Sequence, residues 1–102
     1  MKTGVHVASV TMDLRLPAVH SLKEKRAVLR PILDGARRRF AVAAAEVGSQ
    51  DAWQSATIGM AAVSGSAYHA REVLDAVERF VWSFPEVGVT CTLRNWMGDG
   101  ED

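Results

Sequence analysis

Several features are scarce in this chain, and each scarcity narrows what it can be. There is one cysteine, Cys91, among 102 residues. No internal disulfide can form, and a lone thiol suits a reducing compartment. No apolar run approaches the roughly 20 residues that span a bilayer. The start, Met1 to His6, leads into alternating sequence without the apolar core of a signal peptide. The expectation is therefore a soluble, cytoplasmic protein with no membrane partner. Glycine-rich P-loop, HExxH, CxxC and GxSxG patterns are missing, and His6, His20 and His69 do not have metal-ligand spacing. No catalytic residue, metal or cofactor is expected, and a self-contained enzyme is not the expected class. Net charge is also absent, since twelve basic residues balance twelve acidic ones.

What is present is enough for one domain. The length leaves no room for a second core, and 48% apolar content can fill one without metal or disulfide staples. The predicted unit is residues 1–102, with a core over about 5–96 and a frayed tail over 97–102. No repeat, low-complexity segment or linker interrupts it.

Hydrophobic periodicity supplies the elements. Ala8, Val10, Met12, Leu14 and Leu16 alternate with Ser9, Thr11, Asp13 and Arg15, the pattern of a half-buried strand. Pro17 ends it. Ser21 and Glu24 form a capping box, Ser21 capping the Glu24 N–H and Glu24 reaching back to Ser21. Leu22, Leu29, Ile32, Leu33, Ala36 and Phe40 follow at helical spacing, predicting a helix over Leu22–Phe40 that Pro31 kinks without breaking. Strands are predicted near Val42–Val47 and Ala56–Val63, on either side of the turn residues Gly48 to Asp51. Ser66 caps a second helix over Ala67–Phe84, stopped by Pro85. Val87, Val89, Cys91 and Leu93 then alternate as a fourth strand, which puts Cys91 on the core face as an inert thiol.

The order βαββαβ predicts an α+β, two-layer, ferredoxin-like sandwich: a four-stranded antiparallel sheet in order 4-1-3-2 with both helices on one face. This topology gathers Pro17–Ser21, Gly48–Trp53 and the turn at Pro85 at one end of the sheet.

The run Leu16-Pro17-Ala18-Val19-His20-Ser21-Leu22-Lys23-Glu24-Lys25-Arg26 also resembles a known family. Ala45-Glu46-Val47 followed by Gln50-Asp51-Ala52-Trp53-Gln54 supports the likeness. Together they are similar to the YlxP-like family of small uncharacterised bacterial proteins, over about His6 to Leu93. The resemblance implies a ferredoxin-like sandwich. Genes of that family often lie beside those for translation initiation and ribosome maturation factors, which implies a place near RNA or the ribosome. It implies no catalytic residue. Pro31 and the alanine-rich second strand depart from the family's pattern.

Charge distribution supplies the main functional candidate. Seven of the twelve basic residues lie between Lys23 and Arg39, against only Glu24 and Asp34. At 100° per residue from Leu29, Lys23, Arg26, Arg30 and Arg37 fall between about 60° and 120°, a stripe roughly 20 Å long beside the buried face. Asp34, at about 140°, interrupts it. The stripe reads either as a nucleic-acid contact along a phosphate backbone or as a solvated face whose arginine stems cover the core edge. The helix start, with His20 and Ser21, reads either as an anion site or as a plain N-cap. Glu46, Asp51 and Trp53 share the same end of the sheet. They read as an acid pair for chemistry, or as a structural loop cluster. In the second reading Asp51 caps the turn, Trp53 packs over the core, and Glu46 pairs with Lys25 or Arg26.

RNA-recognition domains of this topology stack bases on aromatics of the open sheet face. Here the central strands offer Ser9, Thr11, Asp13, Thr57, Gly59 and Ala61, so RNA contact is expected from helix and loops. The partners expected are RNA or a ribosomal particle. The alternative is a protein-interaction module, a homodimer through the open face or edge strands.

Overall fold

The computed structural model describes residues 4–98. Its elements are β1 (His6–Arg15), α1 (Leu22–Phe40), β2 (Ala43–Gly48), β3 (Ser55–Ser64), α2 (Ala67–Trp82) and β4 (Gly88–Gly98). The sheet runs β2-β3-β1-β4 and every neighbouring pair is antiparallel. This is the βαββαβ sandwich expected from the periodicity.

Alternation decides which side of each strand is buried. Ala8, Val10, Met12 and Leu14 of β1 pair with Ala62, Met60, Ile58 and Ala56 of β3, and all eight are buried under the helices. α1 lies over β2, and α2 over β1 and β3. Leu29, Ile32 and Ala36 from α1 meet Ala70, Leu74, Val77 and Val81 from α2 in one core. Gly35 makes the helix crossing close, because a Cβ there would stand 2.5 Å from Phe80 Cζ. Phe40 and Phe84 pack edge-on against Phe80, with centroids at 5.5 and 5.1 Å, and the Arg39 guanidinium lies 5.1 Å from the Phe80 centroid.

α1 runs unbroken through Pro31, which faces solvent. Ala27, whose carbonyl loses its helical partner to that proline, is also exposed, so water can replace the bond. α1 ends at Ala41, in left-handed conformation with φ 55°, whose N–H donates to Arg37 O. The capping box is shifted by one residue from its expected form. Ser21 Oγ accepts from Glu24 N at 3.1 Å, but Glu24 Oε1 accepts from His20 N at 2.8 Å, not from Ser21.

β4 departs most from the alternation read in the sequence. Cys91 pairs with Asp13 whereas Val89 pairs with Leu14, so Thr90 is an extra residue and the register slips there. The bulge exchanges the two faces of the strand. Cys91 and Leu93, expected in the core, lie on the open face and are exposed. Arg94 and Trp96, opposite the buried Val10 and Ala8, turn toward α2. Arg94 Nε donates to Glu78 and its Nη2 to Asp75, each at 2.7 Å, and Arg71 stands over the Trp96 ring at 5.7 Å. Glu78's hydrogen bond is the largest cause holding Arg94 above the usual guanidinium pKa. β4 also continues past its expected end. Met97 and Gly98 pair with Val7 and His6 instead of fraying, while 99–102 lie outside the described residues. α2 stops two residues before Phe84, where Ser83 closes it through bonds to Phe80 O.

Candidate functional site

The free side of β2 and the solvent flank of α1 enclose a shallow cleft of about 200 Å³, lined by Arg26, Leu29, Arg30, Leu33, Asp34, Arg37 and Glu46. Helical spacing brings its arginines together. Residues 26, 30 and 37 are separated by whole turns of α1, and the leucines on the adjoining flank form the apolar floor. Lys23 extends the row toward the helix start without lining the cleft.

These cations differ in how far they are engaged. Arg37 Nη1 binds Asp34 Oδ1 at 2.8 Å, and its Nη2 donates to Ala44 O on the outer edge of β2. It ties helix to strand and blunts that edge. Lys23, Arg26 and Arg30 are exposed and have no ion-pair partner among the described residues. The structure thus groups three of the four stripe residues in the cleft and divides the stripe into a tethered Arg37 and three free cations.

At the end of the sheet, a lysine outside the stripe, one of the two residues expected to pair with Glu46, organises the loop. Lys25 is 1% exposed. Its Nζ donates to Ser49 O and Ala52 O and forms an ion pair with Glu46 Oε2, all at 2.7 Å; the buried Oε2 is held by charge and accepts no well-aligned hydrogen bond. A signal was available, since Lys25 sits at about 320° on the same wheel, inside the apolar stripe. A lysine there must either be paired or unfold the turn.

Gln54 holds the loop from the other side. Its Nε2 donates to Pro17 O at 3.2 Å and Val19 O at 3.0 Å, while its backbone carbonyl accepts from Leu16 N at 3.0 Å. Two expected roles are corrected here. Asp51 makes no hydrogen bond to the turn; the turn is closed by Ala52 N donating to Ser49 O, with Ser49 at φ 60°. Trp53 does not cover the core. It is 53% exposed and borders, with His20, Asp51 and Gln54, an open recess of about 480 Å³. Glu46, bound to Lys25, is separated in role from Asp51, which has no hydrogen-bond or ion-pair partner among the described residues. The helix start that was a candidate anion site already carries the Glu24 carboxylate.

A family model described as a protein of unknown function, DUF503, matches residues 7–94. The chain belongs to the DUF503 family. It is also 46% identical over 76 residues to the uncharacterized protein YlxP of Bacillus subtilis (strain 168), covering 74% of this chain and 83% of that protein. The likeness read from the Leu16–Arg26 and Ala45–Gln54 runs is therefore a family relationship. Within the DUF503 match fall the cleft, the buried lysine and the loop carrying Trp53; β4 beyond Arg94 lies outside it.

Proposed function

We propose that this DUF503 protein is a non-enzymatic module that binds the phosphate backbone of RNA, free or within a ribosomal particle, along α1. The observation that carries the reading is the unpaired state of Arg26 and Arg30, one turn apart on the wall of the α1–β2 cleft, with Lys23 continuing their line. Guanidinium groups grip phosphate oxygens bidentately, and each phosphate contact releases counterions. The acids near the cleft do not cancel this field, because Asp34 is matched by Arg37 and Glu46 by Lys25. α2 has the opposite character: its Asp75 and Glu78 face Arg94.

Fluorescence anisotropy with a labelled single-stranded RNA, repeated across salt concentrations, tests the reading. Arg26→Gln with Arg30→Gln is expected to weaken binding and flatten the slope of log K against log salt by about one to two units. Arg79→Gln on α2 should do little by comparison. Equal losses from both variants would reduce the effect to bulk charge.

A second reading has its own observation. The β4 bulge turns Leu93 and Met97, 61% and 71% exposed, onto the open sheet face, where Val63 is 69% exposed. Three strands of about ten residues and the six-residue β2, about 4.8 Å apart, make a face of roughly 600 Å². A second copy laid on it would bury roughly 1,200 Å² in total, at the lower end of the range of a specific dimer. Sedimentation equilibrium of the native chain and of Leu93→Lys tests that pairing, and a monomer at all concentrations would rule it out.

A further inference from the structure

We propose that the recess beside Trp53 is a nucleobase-stacking pocket that receives one base of the RNA strand whose phosphates lie on α1. This rests on the phosphate-binding reading above and adds a base-contacting site to it. Trp82 and Trp96 are also exposed, at 62% and 48%, and what sets Trp53 apart is the loop that carries it. Trp53 is half out of a loop that is otherwise tightly held: Lys25 fixes the carbonyls of Ser49 and Ala52, and Gln54 fixes those of Pro17 and Val19. An exposed ring on such an anchored loop is a ready stacking platform, because little ordering entropy remains to be lost on binding.

The surrounding chemistry suits a base. His20 offers a second ring at the rim of the recess. Asp51 has a carboxylate with no hydrogen bond or ion pair among the described residues, and Gln54 retains its Oε1 acceptor after both amide protons are used. The free polar atoms of Asp51 and Gln54 are thus acceptors, so they favour bases that present amino donors. Cytosine, adenine and guanine do so, guanine with N1–H beside its amino group. Uracil shows two carbonyls around a single N–H and meets Asp51 less well. The recess also lies at the end of the sheet where α1 begins, with His20 on its rim three residues before Lys23 in the chain. A strand leaving the stripe can place its next base there.

Anisotropy titrations of labelled oligo(C), oligo(A) and oligo(U), with polyphosphate as a base-free competitor, test this on the full chain. Trp53→Ala is expected to weaken oligo(C) and oligo(A) binding roughly 5- to 150-fold, the usual effect of losing a stacked base. Polyphosphate affinity and the salt slope should not change, and Trp53→Phe should retain most of the binding. Wild type should bind oligo(U) more weakly than oligo(C), with Asp51→Asn narrowing the difference. If Trp53→Ala binds RNA as wild type does while the Arg26/Arg30 variant is weakened, the pocket is overturned and the phosphate stripe stands. If only Trp53→Ala is weakened, the pocket is supported and the stripe is overturned. Wild type that binds no RNA at low salt overturns both. A Trp53→Ala change that converts a dimer to monomer in RNA-free sedimentation assigns the ring to self-association and also overturns the pocket.

Discussion

Lys25 Nζ and Glu46 Oε2 stand 2.7 Å apart, joining the first helix to the edge strand beneath it. The lysine is nearly fully buried while the carboxylate keeps partial access to water. The same ammonium holds two loop carbonyls, so one side chain fixes the approach of α1, β2 and the loop before β3.

This arrangement makes Lys25 a poor site for substitution. Lys25→Met keeps the stem but leaves Ser49 O and Ala52 O without their donor and the Glu46 carboxylate without its counter-ion. A loss of about 3 kcal/mol is expected, in line with breaking a buried pair from one side. Glu46→Gln should cost less, about 1 kcal/mol, because Glu46 is closer to solvent. Urea denaturation of both variants checks the order, and equal midpoints would contradict it.

Gly35→Ala opposes two effects. Alanine favours the helix by up to about 1 kcal/mol. Its Cβ, however, would meet Phe80 Cζ at 2.5 Å, and Phe80 is itself wedged between Phe40 and Phe84. Overpacking of this kind costs about 1–3 kcal/mol and should win. A lowered midpoint in thermal or urea unfolding is the expected outcome, and a raised one would show that the ring moves freely.

The bulge at Thr90 can be checked chemically. Cys91 lies on the open face and is exposed. As the only thiol in the chain, it should react with an aromatic disulfide reagent in the folded protein, to one equivalent and without denaturant. Protection until unfolding would place it back in the core, as unbroken alternation would have it, unless a second copy covers the face; sedimentation at the same concentration separates those cases.

Tyr68 provides a pH observable. The Glu72 carboxylate lies one turn along α2, and its attraction for the phenol proton, followed by its negative charge, raises the pKa above the ordinary 10.0. Ionisation sets two negative charges near one another. As the single tyrosine, it can be titrated by ultraviolet difference absorbance, and its midpoint should lie above that of a free phenol. Glu72→Gln should bring the midpoint down. An unchanged midpoint would mean the two groups do not meet in solution.

Much of the architecture was legible because it rests on local periodicity. β1 alternates cleanly, α1 and α2 carry continuous apolar stripes, and Ser21 and Ser66 stand where the helices start. Element order and the right-handed crossover rule then left one sheet order. The arginine row was legible for the same reason, since a helix wheel needs only residue spacing.

The Glu46–Lys25 pair was one of the two expected for that carboxylate, but the other features that depended on a partner distant in sequence were not legible. A bulge is set by how β4 pairs with β1, and one extra residue reverses every later side chain. No local pattern in Gly88–Gly98 announces which residue is the extra one. The exposure of Trp53 and the burial of Lys25 were hidden for a related reason. Hydrophobicity alone puts the tryptophan inside and the lysine outside. Three oxygens from β2 and its loop, available only after the sheet and α1 had packed, supply the acceptors and the counter-charge that make a buried ammonium tolerable. The sequence by itself determined the elements, their order and the cationic row. Tertiary structure decided which of those cations stay free, which face β4 shows, and that Trp53 is left in solvent, because burial of a polar or aromatic group depends on partners that only the folded chain brings within reach.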